Sequence, residues 1–181
     1  MKYKIGDLCE ALKQGEVAAI GHQCNCFNTM GTGVAKAIKK HFPEAYEMDC
    51  MTTKGDKLKL GEISLAKTPY GYVYNLYGQY GYGRNQCHTD YTALESALTE
   101  MRDECLRDMF PAKKIGLPKL GSGHGGGDWS KVQQIIQRVF SGSGIDVTIY
   151  VLEEADVQEC NYCSGKLCNA TLSRKEVASL G

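Results

Sequence analysis

The sequence predicts an α/β sandwich, a mixed sheet covered by helices on both faces. Three observations carry that prediction. Short β-branched apolar runs alternate with segments of helical periodicity along most of the 181 residues. Two of those runs flank Thr68-Pro69-Tyr70-Gly71, whose proline and glycine fit a tight turn, so an antiparallel hairpin joins the sheet. Twice the chain passes from strand through a glycine loop into helix, once over residues 17–40 and again over 114–140.

Taken in order, residues 2–5 form a strand ending at Gly6-Asp7, and 8–12 a short helix before Gly15. Residues 17–21 are small and β-branched and read as a buried strand opening into a polar, thiol-rich loop over 22–33. Val34, Ala37, Ile38 and Phe42 keep helical spacing. Pro43, having no N–H to leave unsatisfied, suits the first turn of a second helix over 43–53. Residues 63–67 and 72–77 are the hairpin strands. Thr92-Ala93-Leu94-Glu95 matches a capping box, and Tyr91, Leu94, Leu98, Met101 and Cys105 share one face of a helix over 89–107. A strand over 114–117 stops at Pro118, and five glycines follow within residues 121–127. Trp129, Val132, Ile136 and Val139 then repeat at helical intervals behind Asp128, placed as N-cap. Residues 146–152 form the last strand. The domain spans 1–152, and 153–181 is a polar, cysteine-containing tail.

Composition narrows the function. With 43% hydrophobic and 23% charged residues the chain can bury an ordinary core, which excludes wholesale disorder. Lysine plus arginine and aspartate plus glutamate both number 21, so no large field draws in duplex DNA or an anionic membrane. The opening MKYKIGDLCEAL has no apolar core followed by a cleavage site, and a cytoplasmic location is expected. Nine cysteines, an odd number, point to free thiols. Cys160, Cys163 and Cys168 supply three thiols where structural zinc takes four ligands, so no metal site is expected.

The chemistry is expected in the two glycine loops. Glycines let a backbone approach an anion closely, and N–H groups at the next helix start stabilise negative charge. Two such loops can grip both ends of one diphosphate; alternatively, the glycines only serve tight turns. Common nucleotide fingerprints fail. Gly31-Thr32-Gly33 lacks the third glycine of G-x-G-x-x-G, where Lys36 stands, and Asp49 falls within a predicted helix rather than at a strand end. His22 offers a side chain that ordinarily titrates near neutrality, as a general acid or base or as a structural histidine at a strand end. His124 can contact phosphate or be solvated, and Asp128 can position water or simply cap its helix. Six tyrosines lie between residues 70 and 82. Alternation at 70, 72 and 74 is ordinary strand chemistry, whereas Tyr80 and Tyr82, between glycines, are placed to flank a ligand.

Gly6-Asp7-Leu8, the run from His22 through Asn25 and Met30 to Ala35, and Gly121-Ser-Gly-His-Gly-Gly-Gly-Asp-Trp129 together resemble a macro domain, over about residues 1–152. The branch they most resemble includes ADP-ribose-1″-phosphate phosphatases, terminal ADP-ribose protein glycohydrolases and phage or bacterial relatives. The resemblance implies a three-layer α/β/α fold with a mixed six-stranded sheet and an ADP-ribose cleft at its C-terminal edge. Asp7 is then expected to accept from the adenine amino group, beside the Leu8 backbone. Gly31, Thr32, Gly33 and Val34 on one side, and Ser122, Gly123, His124 and Gly125 on the other, are expected to hold the diphosphate. Cys24, Met30, Leu120 and Gly121 complete the expected ligand-binding set, and Asn25 faces the distal ribose. Glu153-Glu154 offers no aromatic to stack on adenine. Where glycohydrolase members carry a lysine and an aspartate, this sequence has Gln79 and Gly125, which can form no lysyl adduct and deprotonate nothing.

The activity so implied is hydrolysis of ADP-ribose-1″-phosphate to ADP-ribose and phosphate, without a cofactor, with Asn25, His22 and Asp128 as catalytic candidates. The alternatives are a non-catalytic ADP-ribose reader and a hydrolase that frees ADP-ribose from modified macromolecules by a substrate-assisted route.

Overall fold

The computed structural model describes residues 1–83, 86–107 and 112–153. Along the chain run β1 (Lys2–Ile5), α1 (Leu8–Lys13), β2 (Ala19–Asn25), α2 (Gly33–His41), α3 (Pro43–Cys50) and one 3-10 turn (Lys57–Lys59). Then follow β3 (Ile63–Thr68), β4 (Gly71–Gln79), α4 (Tyr91–Leu106), β5 (Lys114–Leu117), α5 (Trp129–Phe140) and β6 (Asp146–Val151). The tail cysteines at 160, 163 and 168 lie outside the described residues.

The strands make one six-stranded sheet in the order β1-β6-β5-β2-β4-β3, parallel throughout except for the β3–β4 hairpin. Helices α4 and α5 cover one face, where Leu94, Leu98, Met101, Val132 and Ile136 bury against Tyr74, Leu76, Ile115, Leu117 and Ile149. Helices α1, α2 and α3 cover the other, where Leu12, Ile38, Phe42 and Ala45 meet Ile20, Val73 and Tyr150. The result is the three-layer mixed fold that the alternating pattern predicts. Gly71 closes the hairpin at φ +142°, and a Cβ there would collide with Ala18 O and reach within 2.8 Å of Leu12 Cδ1.

Two local expectations are corrected. Residues 22–25 continue β2 instead of opening a loop, because β4 pairs alongside them, with His22 opposite Asn75 and Gln23 opposite Leu76. A neighbouring strand satisfies the backbone of a polar segment that composition alone assigns to a loop. Helix α4 is capped by Asp90, whose carboxylate accepts from Ala93 N at 3.0 Å, rather than by Thr92. Asp90 N in turn donates to Gly78 O at 2.9 Å, so the cap is anchored to the end of β4.

Candidate functional site

Sheet topology decides where a cleft opens. The loop after β2 leads to α2 on one face, while the loop after the adjacent β5 leads to α5 on the other. Neighbouring parallel strands whose connections depart in opposite directions leave a crevice at their carboxyl ends. A cavity of about 450 Å³ lies there, lined by the end of β2, the loops after β2, β4 and β5, and the start of α2.

The first wall is held by Asn25. Its Oδ1 accepts from Phe27 N and Thr29 Oγ1, both at 2.9 Å, and its Nδ2 donates to Thr29 O at 2.9 Å. The carboxamide therefore braces the turn that carries Gly31, Thr32 and Gly33 while also lining the cavity. Gly33 opens α2 at φ +54°, and Thr32 makes no side-chain cap, so no side chain of its own N-cap residue occupies that helix start. Val34, expected with Gly31, Thr32 and Gly33 to hold the diphosphate, is 39% exposed and lines the cavity.

The second wall is built from Gln23 and Thr89, neither of which sequence reasoning singled out. Alternation along β2 turns Gln23 to the opposite face from His22. There its Nε2 donates to Gln79 Oε1 at 2.7 Å and Thr89 Oγ1 at 3.0 Å. Thr89 Oγ1 reaches Gly121 O, and the backbone N–H groups of His88 and Thr89 donate to Gly125 O. Gly121 sits at φ +67°, and a Cβ on it would lie 2.6 Å from Thr89 Oγ1, so only glycine fits this turn. Gln23 Oε1 is buried without a hydrogen-bond partner among the described residues. The two walls approach each other, for a Cβ on Gly33 would lie 3.5 Å from His124 Nδ1.

His22 lies at the floor, 1% exposed, its Nε2 2.7 Å from Asn75 Oδ1. Burial pushes the imidazole down from 6.5 to about 4, against the smaller opposing effect of the Asn75 contact. The expectation of an imidazole titrating near neutrality is thereby corrected: water is excluded and the charged form is unfavourable. Cys24 Sγ packs 3.6 Å from the same ring, and burial raises its thiol well above the usual range.

Of the predicted residues, His22, Cys24, Asn25, Gly31, Thr32, Gly33, Val34, Leu120, Gly121, Gly123, His124 and Gly125 line the cavity. Asp128, Asp7, Leu8, Met30 and Ser122 do not. The Asp128 carboxylate caps α5, accepting from Ser130 N at 2.8 Å and Ser130 Oγ at 2.7 Å. Asp7 likewise caps α1 through Cys9 N and Glu10 N, and Leu8 is buried beside it. Met30 is buried with Cys24, Cys26 and Tyr77 beneath the first loop, and Ser122 Oγ donates to Lys119 O. Tyr82, expected with Tyr80 to flank a ligand, lines the cavity whereas Tyr80 does not, and Gln79, Pro118 and Lys119 join the lining. Among the described residues no cluster of three or more His, Cys, Asp or Glu could hold a metal, and no helix is long and apolar enough to cross a membrane.

A mixed sheet with two glycine-rich loops meeting at its switch point defines an α/β protein with a cleft at the carboxyl ends of its strands. The chain belongs to the macro domain family, whose model matches residues 22–136. It is 36% identical over 141 residues to an uncharacterised 17.5 kDa protein of Enterobacteria phage T4, covering 75% of this chain and 87% of that one. It is 28% identical over 151 residues to the human ADP-ribose glycohydrolase OARD1, covering 83% and 90% of the two chains. The solved macrodomain of Thermus aquaticus DarG superposes with a TM-score of 0.68 at 25% identity, covering 83% and 98%.

Proposed function

We propose that the cleft binds ADP-ribose and that the protein hydrolyses the bond between the C1″ carbon of the distal ribose and its substituent. The observation that supports this reading is the meeting of Gly33 with His124 across one cavity, where two glycine-bearing backbones face each other. The relatives named as ADP-ribose glycohydrolases support the hydrolytic step.

In that reaction the bond from C1″ to the leaving atom breaks, water supplies hydroxyl to C1″, and its proton leaves with the departing group. Gln79 stands at the end of β4 and is a carboxamide, so no covalent lysyl intermediate forms there. Asn25 orients the distal ribose from the braced turn. His22, neutral at pH 7, acts as a hydrogen-bonding floor rather than as a titrating acid.

One observation favours a second substrate, ADP-ribose-1″-phosphate. The described lining contains no carboxylate, and Lys119, His124 and the buried His22 are its basic residues, so an added phosphate meets no carboxylate there. Here water attacks phosphorus, the bond from phosphorus to the C1″ oxygen breaks, that oxygen takes the proton, and ADP-ribose and inorganic phosphate are released.

The test is calorimetry with ADP-ribose, followed by chromatography of the products from ADP-ribosylated oligonucleotide, ADP-ribosylated peptide and ADP-ribose-1″-phosphate. Micromolar affinity is expected, about −8 kcal/mol. Gly31 and Gly123 each have open space where a Cβ would stand, so Gly31→Glu and Gly123→Glu should fold normally yet abolish binding by placing a carboxylate on each wall. Unchanged affinity in either variant removes that loop from the site. Binding without release of ADP-ribose or phosphate from any substrate leaves a reader.

A further inference from the structure

A buried ion pair outside the cavity lining has no part in the proposed reaction. Lys59, the last residue of the 3-10 turn, is 7% exposed, and Asp49, near the end of α3, is 1% exposed. Their charged atoms stand 3.7 Å apart. Taking two charges out of water is costly, and their attraction offsets that cost only where further hydrogen bonds complete the arrangement. Here those bonds converge on one segment. Lys59 Nζ donates to Cys26 O at 3.2 Å and to Asn28 Oδ1 at 3.1 Å, and lies 4.5 Å over the Tyr77 ring. Asp49 Oδ1 accepts from the Tyr77 hydroxyl at 2.9 Å, which holds the carboxylate against β4. The ammonium is thus fixed between α3 and β4, and its hydrogen bonds reach the chain that leaves β2.

Asn28 is where that grip acts. Among the described residues it is the one non-glycine at positive φ, +56°, a conformation asparagine tolerates when its side chain is hydrogen bonded nearby. Its Nδ2 donates to Asp49 O and to Thr52 Oγ1, the latter at 3.2 Å, while its Oδ1 takes the Lys59 ammonium. Its chain neighbours, Phe27 and Thr29, supply the N–H and the hydroxyl that meet Asn25 Oδ1. Holding Asn28 therefore holds the bracing of the Asn25 carboxamide. We propose that Lys59, anchored by Asp49, is a positioning residue that locks the turn over residues 26–28 in the geometry presenting Asn25 to the distal ribose. The inference deepens the proposed reading and rests on its assignment of Asn25 to that ribose. An apolar side chain of the same length would fill the space of Lys59, yet would leave Asn28 Oδ1 without this donor and Cys26 O with Gly55 N. Such apolar replacements of buried ion pairs are often neutral for stability, so orientation accounts for the pair better than stability does. The second wall does not depend on it, being held by Gln23 and Thr89.

The experiment measures Kd by calorimetry on the full chain for ADP-ribose and for ADP, which lacks the distal ribose. The variants are Asn28→Gly, the paired Asp49→Asn/Lys59→Met, Asn25→Ala, and each of the first two combined with Asn25→Ala. Asn28→Gly keeps the left-handed conformation without strain while removing the carboxamide. The paired variant removes the ammonium without leaving a lone buried carboxylate. Each should weaken ADP-ribose binding about tenfold and leave ADP within about twofold. Each should also lower kcat by about ten- to a hundredfold on whichever substrate wild type turns over, since a displacement of ~1 Å in an orienting group can cost that much. In the Asn25→Ala background the same changes should alter the ADP-ribose Kd less than about twofold, because they act through a side chain already removed. A merely structural role gives parallel losses on both ligands, added to those of Asn25→Ala. Parallel losses, additive losses, unchanged ADP-ribose affinity or loss of folding in both variants would overturn the positioning role while leaving the ADP-ribose reading intact. An Asn25→Ala variant that keeps the wild-type preference for ADP-ribose over ADP would overturn the assignment of Asn25 and this inference with it. Failure of wild type to bind ADP-ribose would overturn the reading of the cleft itself.

Discussion

His22 illustrates how one residue's chemistry is set by neighbours distant in sequence. Asn75 Nδ2 donates to Ala45 O at 2.8 Å and to Ser64 Oγ at 2.9 Å, which turns Oδ1 toward the ring and makes His22 Nε2 the donor. The network continues from Ser64 Oγ to the Tyr77 hydroxyl and on to Asp49 Oδ1, with Lys59 Nζ 3.7 Å from that carboxylate. The imidazole is thus held neutral with Nδ1 unprotonated. Because its folded pKa is about 4 against 6.5 for the free side chain, only the unfolded chain takes up this proton between those values. Stability from this residue is complete above pH 6.5 and declines as pH falls toward 4. Between pH 7 and 5 the loss should be roughly 2 kcal/mol. Urea unfolding of wild type against His22→Gln checks it: the variant should lose that part of the slope, and an unchanged slope would place its origin elsewhere. For the same reason the pH–rate profile should show no imidazole limb between pH 6 and 8.

Among the elements, α5 and α4 do structural work that supports the cleft from behind. Helix α5 starts at Asp128 and Trp129, where Asp128 N donates to the Tyr91 hydroxyl and Trp129 Nε1 to the Tyr3 hydroxyl at 3.0 Å. Asparagine caps nearly as well as aspartate, so Asp128→Asn should leave stability and hydrolysis unchanged. Asp128→Ala should cost about 1 kcal/mol with the ADP-ribose affinity intact. Chemical denaturation and product assays on the pair decide this, since a large rate loss in Asp128→Asn would give the carboxylate a chemical role. On α4, Leu98 is fully buried against the sheet. Leu98→Ala should destabilise by about 2–5 kcal/mol in the same denaturation experiment, while leaving affinity at a temperature where the variant is folded within about twofold.

At the scale of the whole molecule, a ligand that bridges the β2 and β5 loops stabilises only the folded state. ADP-ribose at 100 times its Kd should raise stability by about 2.7 kcal/mol, seen as a raised Tm. Gly31→Glu should abolish the shift. The sheet closes with β6 at Val151, so a chain ending at residue 154 should show the same shift as the full chain. A smaller shift after truncation would assign residues 155–181 a part in binding.

The strand–helix alternation, the hairpin and the two glycine loops were legible because each rests on local chemistry: side-chain period, turn residues, and a backbone that must come close to something. So was most of the β2 and β5 loop lining, since glycine clusters mark it directly. What the sequence could not decide were the matters set by pairing and burial. Strand β2 extends to Asn25 because β4 lies beside it, and Gln23 braces the second loop because strand alternation and Thr89 meet there. Burial that no local pattern reveals lowers the His22 imidazole to about 4. Asp128 and Asp7 each cap their own helix start through Oδ1, because a carboxylate two or three residues from unsatisfied N–H groups reaches them readily. Local propensity and loop chemistry were therefore determined by the sequence itself. Which side chains face the cavity, and in which protonation state, was decided only when distant strands came together and excluded water.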